Sequence, residues 1–358
     1  MKKSYGLLGG LLTLFFLAAS FYFISRSIAE SKQFKEEKNK VAEILNINDR
    51  IFSFRDWVFS EEAWQEKKAE FEIVLQKADK HYANALRYGY YLLIGCLIYL
   101  ILLLLIYLKK RKYFGITFAL SFIGLSLLVQ GITNPILEIA AFKDDLTIKI
   151  YVKAKDIPYF EEAIDYMGKI SDIADYIKYV PIVGDDWADG AKELVGEGQA
   201  YLQEHSNDKI GKDQVFTGRT YFYYQNKGIS DVISLLWHNS NKPVALAIAV
   251  FSVVIPVIKL LFTLLMLILP ITELKRLRKF IMYIAKWSMA DVFVVSLFLA
   301  FLSFANMSPG VETDASILFG LYYFAGYVFI SILLGFLLNK SIDEKKAFNA
   351  SQESNMVE

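Results

Sequence analysis

The sequence contains few of the residues that build metal centres and disulfides. Its 358 residues include one cysteine, Cys96, and three histidines, His81, His205 and His238. One cysteine excludes an internal disulfide and a cysteine-based metal site. The histidines are far apart and follow no metal-ligand spacing, so we interpret them as surface or capping residues. The formal net charge is only +1 and gives no indication of nucleic-acid binding. We therefore predict no metal, no cofactor and no nucleic-acid partner.

The sequence also lacks the signatures of common enzymes. It has no glycine-rich phosphate loop, no nucleophile–base spacing and no metal-binding motif. Asp185, Asp186 and Asp189 cluster in GDDWADG, and hard cations such as calcium take carboxylates from short loops. Their spacing differs from that of an EF-hand loop, so a solvated acidic face is the preferred interpretation and a calcium site is the alternative. We expect that the protein is not an enzyme.

Apolar residues are abundant and come in long blocks. Hydrophobic residues make up 55% of the chain and aromatic residues 15%, and the mean hydropathy is +0.34. Six apolar runs are long enough to cross a hydrocarbon core of about 30 Å. They span residues 5–25, 88–108, 113–133, 243–270, 281–304 and 316–338. This pattern predicts an all-α polytopic membrane protein with six transmembrane helices.

Basic residues mark one side of the membrane. They cluster at residues 2–3, 109–112, 275–279 and 340–346, beside the ends of the apolar runs. The positive-inside rule then places both termini in the cytoplasm and residues 26–87 and 136–242 on the outer side. A cleaved signal peptide is an alternative for the first run, because LAAS follows an apolar stretch. The apolar run continues through residues 21–24, which favours an uncleaved anchor.

The two outer regions have different patterns. Residues 26–87 carry a helix start at Ser60 and a heptad-like seam that includes Trp64, Phe71, Ala78 and Ala85. Before it, Phe34 and Val41 belong to a shorter apolar face that can pack on this seam. We predict an antiparallel helical hairpin that turns near residues 46–57. It is either a stalk or docking post for a partner, or a self-contained hairpin that leans on the second outer region.

The other outer region contains strand-like sequence. Residues 146–152 alternate apolar and polar side chains, and residues 215–225 are rich in β-branched and aromatic residues. Two helical stretches, at about 158–180 and 187–205, lie between these segments. We expect residues 136–242 to form a small α+β outer domain with a short antiparallel sheet.

Two charges interrupt the apolar runs near the C-terminal end. Lys259 and Asp291 have opposite signs and lie at the same expected depth, about 15–17 Å from the inner face, on consecutive runs. Charges inside a bilayer are kept where they are paired or used. Ser252 and Ser288 share the charged faces, so we predict a polar membrane site of these four residues. Its role is either a structural ion pair or a functional site.

The strings around these charges resemble a known family. SVVIPVIKLL (252–261) and KWSMADVFVVSLFLA (286–300) resemble the signature segments of the paraquat-inducible protein A family, and QGITNPILEI (130–139) and GISDVISLLWHN (228–239) are similar to two further segments. The resemblance covers about residues 113–340, a single four-helix unit. The family residues that carry over are Pro256, Lys259, Trp287, Ser288, Met289 and Asp291. The N-terminal hairpin is additional, and the zinc ribbons of many members are absent.

We predict three segments: 1–111, two transmembrane helices with the hairpin; 112–340, the four-helix domain with its outer loop domain (136–242); and 341–358, a polar cytoplasmic tail. The resemblance also implies a function. Family members are inner-membrane proteins of diderm bacteria that work with MCE-domain proteins, which form lipid tunnels across the periplasm. The expected function is therefore an inner-membrane subunit of a lipid-transport system, with a phospholipid or other lipid and an MCE-domain periplasmic protein as partners. An ion- or proton-coupled small-solute transporter and a non-transporting membrane scaffold or stress-response protein are the alternatives.

Overall fold

In the computed structural model of the chain, the described residues are 2–51, 53, 56, 59–108, 111–153, 155, 161–162, 164–166, 169, 184–204, 206, 209–269, 296 and 312–357. The chain forms two compact units. Unit 1 comprises Met1–Phe52, Gln65–Lys143 and Arg219–Glu358, and unit 2 comprises Ser53–Trp64 and Asp144–Gly218.

The N-terminal region contains two long helices. Helix α1 runs over Lys2–Ile44, the short helix α2 over Ile47–Ile51, and helix α3 over Ser60–Tyr107. No proline interrupts either long helix, so each apolar run continues without a break into its polar extension. Phe34, Val41, Ala78 and Ala85 are buried at the predicted seam positions. The structure confirms two continuous arms and the helix start at Ser60.

The remaining long helices belong to the apolar runs. Helix α4 spans Lys112–Thr133, helix α7 Lys242–Ala249, a π-helix Val250–Val254, helix α8 Ile255–Ile268 and helix α9 Phe319–Val357. Among the described residues, five helical stretches are long and apolar enough to cross a membrane: Leu7–Ile44, Ser60–Tyr107, Lys112–Thr133, Lys242–Ile268 and Phe319–Ala347. They agree with five of the six predicted runs. The other run, 281–304, lies outside the described residues, so the count of six stays a prediction.

The β-structure is a small sheet. Strand β1 covers Leu137–Lys153, helix α5 Gly184–Glu204, strand β2 Lys209–Lys227, helix α6 Ile229–His238 and strand β3 Glu312–Ile317. The strand order is β2-β1-β3, and β1 pairs with β3 antiparallel from Leu137↔Ile317 to Phe142↔Glu312. The predicted pairing of the first two strands is confirmed, although both are longer than expected. Strand β3 was not predicted, because ETDASI is polar and short. Most of the predicted helix 158–180 lies outside the described residues.

The core of unit 1 is centred on helices α4 and α9. Leu128, Phe324 and Tyr327 are fully buried in its largest hydrophobic cluster. A Cβ atom added at Gly131 of α4 would lie 2.6 Å from the backbone nitrogen of Phe324. The two backbones can approach this closely only because position 131 has no side chain. This contact fixes the pair of helices against which α8 packs.

Unit 2 contains a close approach between the backbone of strand β2 and an aromatic ring. Gly218 has a φ of +84°, and a Cβ atom there would lie 2.2 Å from the indole ring of Trp64. The N–H of Gly218 donates a hydrogen bond to Asp145 Oδ1 at 2.7 Å, and the N–H of Thr217 donates to Ser60 Oγ at 2.7 Å. A residue with a side chain would be strained here both by the left-handed backbone and by the indole ring.

Candidate functional site

Lys259 lies inside a candidate membrane span and has a partner on another helix. It belongs to helix α8, within the span Lys242–Ile268. Its Nζ atom donates a hydrogen bond to Oγ of Ser331 in helix α9 at 2.7 Å. Ser331 is 5% exposed. Its hydroxyl therefore gives the ammonium group of the half-buried Lys259 a polar contact, which lowers the cost of holding a charge in an apolar span.

A π-helical turn precedes Lys259. Pro256 has no N–H and cannot donate to the carbonyl of Ser252, four residues earlier. In the structure the helix widens at Val250–Val254, and the N–H of Ile255 bonds the carbonyl oxygen of Val250, five residues earlier. Ser252 and Pro256 are both buried. Single π-turns are found often at functional sites, and this one places the predicted Ser252 one turn before the proline.

Helix α4 completes the surroundings of the Lys259–Ser331 contact. A Cβ atom added at Gly124 would lie 3.3 Å from Ile330 and 3.4 Å from Leu260. These two residues adjoin Ser331 and Lys259 in the sequence, so α4, α8 and α9 converge at this level. One turn further along α8, the hydroxyl of Thr263 donates to the carbonyl oxygen of Lys259 at 2.8 Å. The result is a localised polar region within an apolar bundle.

The structure tests only part of the predicted site. Lys259, Ser252 and Pro256 lie on one continuous stretch of helix, as the sequence indicates. Asp291, Ser288, Trp287 and Met289 lie outside the described residues, so the Lys259–Asp291 pair stays a prediction. Sequence reasoning missed Ser331. The available signal was a hydroxyl within the apolar run 316–338.

The comparisons with known proteins place this site in a family. The family model described as paraquat-inducible protein A matches residues 216–350. Over these residues the chain is similar to that family. The matched segment contains α8 and most of α9, and it includes both Lys259 and Ser331. It begins within β2, whereas the resemblance seen in the sequence began at residue 113. No curated protein and no solved structure matched the chain significantly.

A second polar cluster, the Gln130 cluster, joins the N-terminal helix α1 to α4, outside the segment that matches paraquat-inducible protein A. It consists of Ser27, Ser31, Gln130 and Asn134, each at most 2% exposed. Gln130 Nε2 donates to Ser27 Oγ at 2.7 Å, and Ser31 Oγ donates to Asn134 Oδ1 at 2.6 Å. Ser27 Oγ in turn donates to the carbonyl oxygen of Ala85 in α3 at 3.2 Å. Three helices are thus connected by buried hydrogen bonds.

Ionic contacts continue this connection along α1. Lys35 pairs with Asp231, which also accepts a hydrogen bond from the N–H of Gly228 at the start of α6. Lys38 lies 3.3 Å from Glu138 of β1. The hairpin therefore packs against the rest of unit 1 along this part of α1 and does not stand free there. Asp231 belongs to the paraquat-inducible protein A segment, so the hairpin contacts that segment directly.

Glu138 also affects a neighbouring tyrosine. The hydroxyl of Tyr224 lies 2.9 Å from Glu138 Oε1. Burial, followed by the Glu138 carboxylate, raises the pKa of Tyr224 well above its usual range. Tyr224 therefore stays protonated and donates its hydrogen bond to Glu138 at all physiological pH values. The Lys38 ammonium offsets the charge of this largely enclosed carboxylate, and the Tyr224 hydroxyl adds a hydrogen bond to it.

Two consecutive residues of α9 bind the ends of two other helices. Glu344 Oε2 accepts a hydrogen bond from the N–H of Phe114 in the first turn of α4, at 3.0 Å. Lys345 Nζ donates to the carbonyl oxygens of Leu267, at 3.0 Å, and Leu269 at the end of α8. Each charge thus has the sign that stabilises the helix end it meets. Lys345 is 8% exposed, so this end of the segment is held by enclosed contacts.

Metal binding has no support in the part of the chain that the structure describes. No three His, Cys, Asp or Glu side chains in that part come together as a metal-binding group. Cys96 is buried in α3. Chemically, the polar features of unit 1 are hydrogen bonds and ion pairs between its elements, together with the Lys259 ammonium group in the span Lys242–Ile268.

Proposed function

We propose that this protein is a subunit of a lipid-transport system in the bacterial inner membrane, with an MCE-type periplasmic protein as its partner. The observation that carries the proposal is the Lys259–Ser331 hydrogen bond inside a segment that matches paraquat-inducible protein A. An ammonium group in a span is costly unless it is paired or used. The protein would move or present lipid without catalysing a covalent reaction.

The proposed site includes four residues that complete the sequence motif. Asp291 would pair with Lys259, and Ser288 would add a hydroxyl on the same helix, while Trp287 and Met289 complete the family string. Such a site offers donors and acceptors to the phosphate and ester groups of a lipid along an otherwise apolar path. In the proposed orientation both termini are cytoplasmic and residues 26–87 and 136–242 are periplasmic.

The Lys259–Ser331 bond also favours a second candidate, a non-transporting scaffold. A hydrogen bond between α8 and α9 would fix the register of these helices whether or not a lipid passes. Replacement of a whole buried pair by apolar residues can be neutral for stability. The double variant Lys259→Met/Asp291→Leu therefore separates the two candidates.

The experiment measures phospholipid movement between the membranes in a deletion strain that carries either the wild-type protein or the double variant. If the protein transports lipid, the double variant should fail to restore lipid movement in the deletion strain, although it is folded and present at the wild-type level. Lys346→Met is the matched control, because Lys346 is an exposed lysine of α9. Full complementation by the double variant would support the scaffold. Unchanged lipid movement in the deletion strain itself would overturn the transport proposal.

A further inference from the structure

A cavity of about 300 Å³ lies between the end of α1 and strand β2, within unit 1. Asn39, Ala42, Glu43 and Asn46 line one side of it, and the aromatic residues 221–224 of β2 line the other. Neither the membrane site nor the Gln130 cluster includes any of these residues. The cavity is therefore separate from the features that support the proposed function.

One wall of this cavity is the edge of a sheet. Strand β2 is at the end of the order β2-β1-β3, so only one of its edges is covered by β1. On its other edge, Asn46 makes a single parallel bridge with Tyr221, and the N–H of Tyr221 donates to the carbonyl oxygen of Leu45 at 2.8 Å. Among the described residues, this bridge is the one isolated pairing of that edge. The two-residue connection between α1 and α2 therefore already pairs with β2 at this point.

The bridge indicates which backbone groups face the cavity. In a strand, the N–H and C=O groups of alternate residues point to the same edge. Since the N–H of Tyr221 points away from β1, a regular strand presents the N–H and C=O of Tyr223 to the same side. A row of alternating donors and acceptors is recognised best by another peptide backbone, as in proteins that bind peptides by strand addition.

The side chains of the cavity indicate what kind of peptide fits. The cavity lining contains a carboxylate, Glu43, and two carboxamides, Asn39 and Asn46, but no lysine or arginine. Glu43 is exposed, and the Tyr223 ring is 47% exposed. A carboxylate beside aromatic rings favours a lysine or arginine side chain, whose stem packs on the rings while its charge pairs with the carboxylate.

We propose that this cavity binds an extended segment of a partner polypeptide, which adds to the free edge of β2 at Tyr223 and places a basic side chain beside Glu43. The segment continues the pairing that Asn46 begins. This inference does not depend on lipid transport, because it uses none of the membrane-site residues. It assigns to the N-terminal hairpin a peptide-binding role that α1 and β2 carry out together.

The experiment uses the full chain in nanodiscs and a phage-displayed library of random decapeptides. The variant Ala42→Trp fills the cavity from α1, while Lys32→Trp places the same side chain on an exposed part of α1 away from it; the Lys32 side chain is 75% exposed. We expect peptides enriched in lysine or arginine on the wild type and on Lys32→Trp, with binding at least tenfold weaker to Ala42→Trp. Glu43→Lys, at an exposed position, should weaken the same peptides at least fivefold and shift selection away from basic residues.

Backbone methylation of a selected peptide tests the strand addition itself. N-methylation at alternate positions should abolish binding, and methylation at the positions between them should be tolerated, because only alternate N–H groups face β2. Three results would each overturn the proposal. The first is an equal loss of binding for N-methylation at every position. The second is no enrichment of peptides on the wild type over Ala42→Trp, and the third is unchanged peptide binding to both Ala42→Trp and Glu43→Lys. Lipid movement measured with the same variants should stay at the wild-type level, because neither variant changes the membrane site. Failure of the peptide-binding inference therefore leaves the transport proposal standing.

Discussion

The Nζ atom of Lys259 and the Oγ atom of Ser331 lie 2.7 Å apart and join helix α8 to helix α9 inside the family-matched segment. Both helices belong to candidate membrane spans. The bond therefore connects a cation in one span to a buried hydroxyl in another. Any movement that separates α8 from α9 must break it or replace it with another polar contact, such as a lipid head group.

Ser331→Ala should destabilise the protein by removing the acceptor of the Lys259 ammonium. A hydrogen bond to a charged group contributes about 1.5–3 kcal/mol to stability, so we expect a loss of that order in the free energy of unfolding. The measurement is SDS-induced unfolding of the purified protein in mixed micelles. Ser331→Thr keeps the hydroxyl and should lose less than half as much. Equal stability of the alanine and wild-type proteins would show that the bond contributes nothing to the fold.

The sequence predicted the helices of this protein better than the contacts between them. Apolar runs of about twenty residues identify spans by length alone, and the seam of Ala78 and Ala85 identified the hairpin. Ser331 carried no comparable signal, because hydroxyls in apolar helices often bond to their own backbone. Ser121 does this with the carbonyl of Thr117, at 2.8 Å. A serine hydroxyl can bond within its own helix or accept a hydrogen bond from Lys259. Only the placement of α9 beside α8 shows that Ser331 does the latter.

The Gln130 cluster shows the same limit of sequence reasoning. The string QGITNPILEI (130–139) resembles a family segment. Nothing in it indicates that Gln130 and Asn134 contact Ser27 and Ser31, about a hundred residues earlier in the chain. Polar groups in apolar helices are satisfied by whichever neighbour packs beside them. The neighbour depends on tertiary packing, so it cannot be predicted from local spacing.

Gln130 and Ser27 should be energetically coupled. Interhelical hydrogen bonds in membranes contribute on average about 0.6 kcal/mol and at most about 1.7 kcal/mol in double-mutant cycles. We expect a coupling energy in this range between Gln130→Leu and Ser27→Ala, measured from the unfolding free energies of the two single variants and the double variant. The matched control is Thr13→Ala, because Thr13 lies on the same helix α1 but bonds Tyr99 at 2.9 Å. The changes in unfolding free energy caused by Thr13→Ala and Gln130→Leu should be additive within about 0.5 kcal/mol.

Gly131→Ala should destabilise the α4–α9 pair. The new Cβ atom would lie 2.6 Å from the nitrogen and 2.7 Å from the Cα atom of Phe324. A backbone cannot move aside as a flexible side chain can, and overpacking of this kind costs about 1–3 kcal/mol. Gly335→Ala is the matched control in α9, because no atom lies within 4 Å of a Cβ atom there. Fluorescence-detected size exclusion on heating should show a lower midpoint for Gly131→Ala only, and equal midpoints would contradict the close approach of the two backbones.

The stability of the protein should depend more on which helix end each charge of Glu344 and Lys345 meets than on their net charge. Glu344 meets the N-terminal end of α4 through the N–H of Phe114, and Lys345 meets the C-terminal end of α8 through the carbonyl oxygens of Leu267 and Leu269. The swap Glu344→Lys/Lys345→Glu keeps the net charge but places each charge at the helix end that repels it. A charge at a partly buried helix end is worth up to about 2 kcal/mol, so we expect the double variant to lose at least about 2 kcal/mol of unfolding free energy.

The control for this swap exchanges two exposed charges of the same helix turn, Asp343→Lys/Lys346→Asp. Neither residue meets a helix end in the structure, so this variant should stay within about 0.5 kcal/mol of the wild type. Thermal unfolding of the four proteins in one detergent compares them directly, with Glu344→Gln as the fourth. Glu344→Gln keeps an acceptor for the N–H of Phe114 but loses the charge, and we expect it to lie between the wild type and the swap. If the swap of residues 344 and 345 is no more destabilising than the swap of 343 and 346, the attraction between these charges and the helix ends does not stabilise the fold.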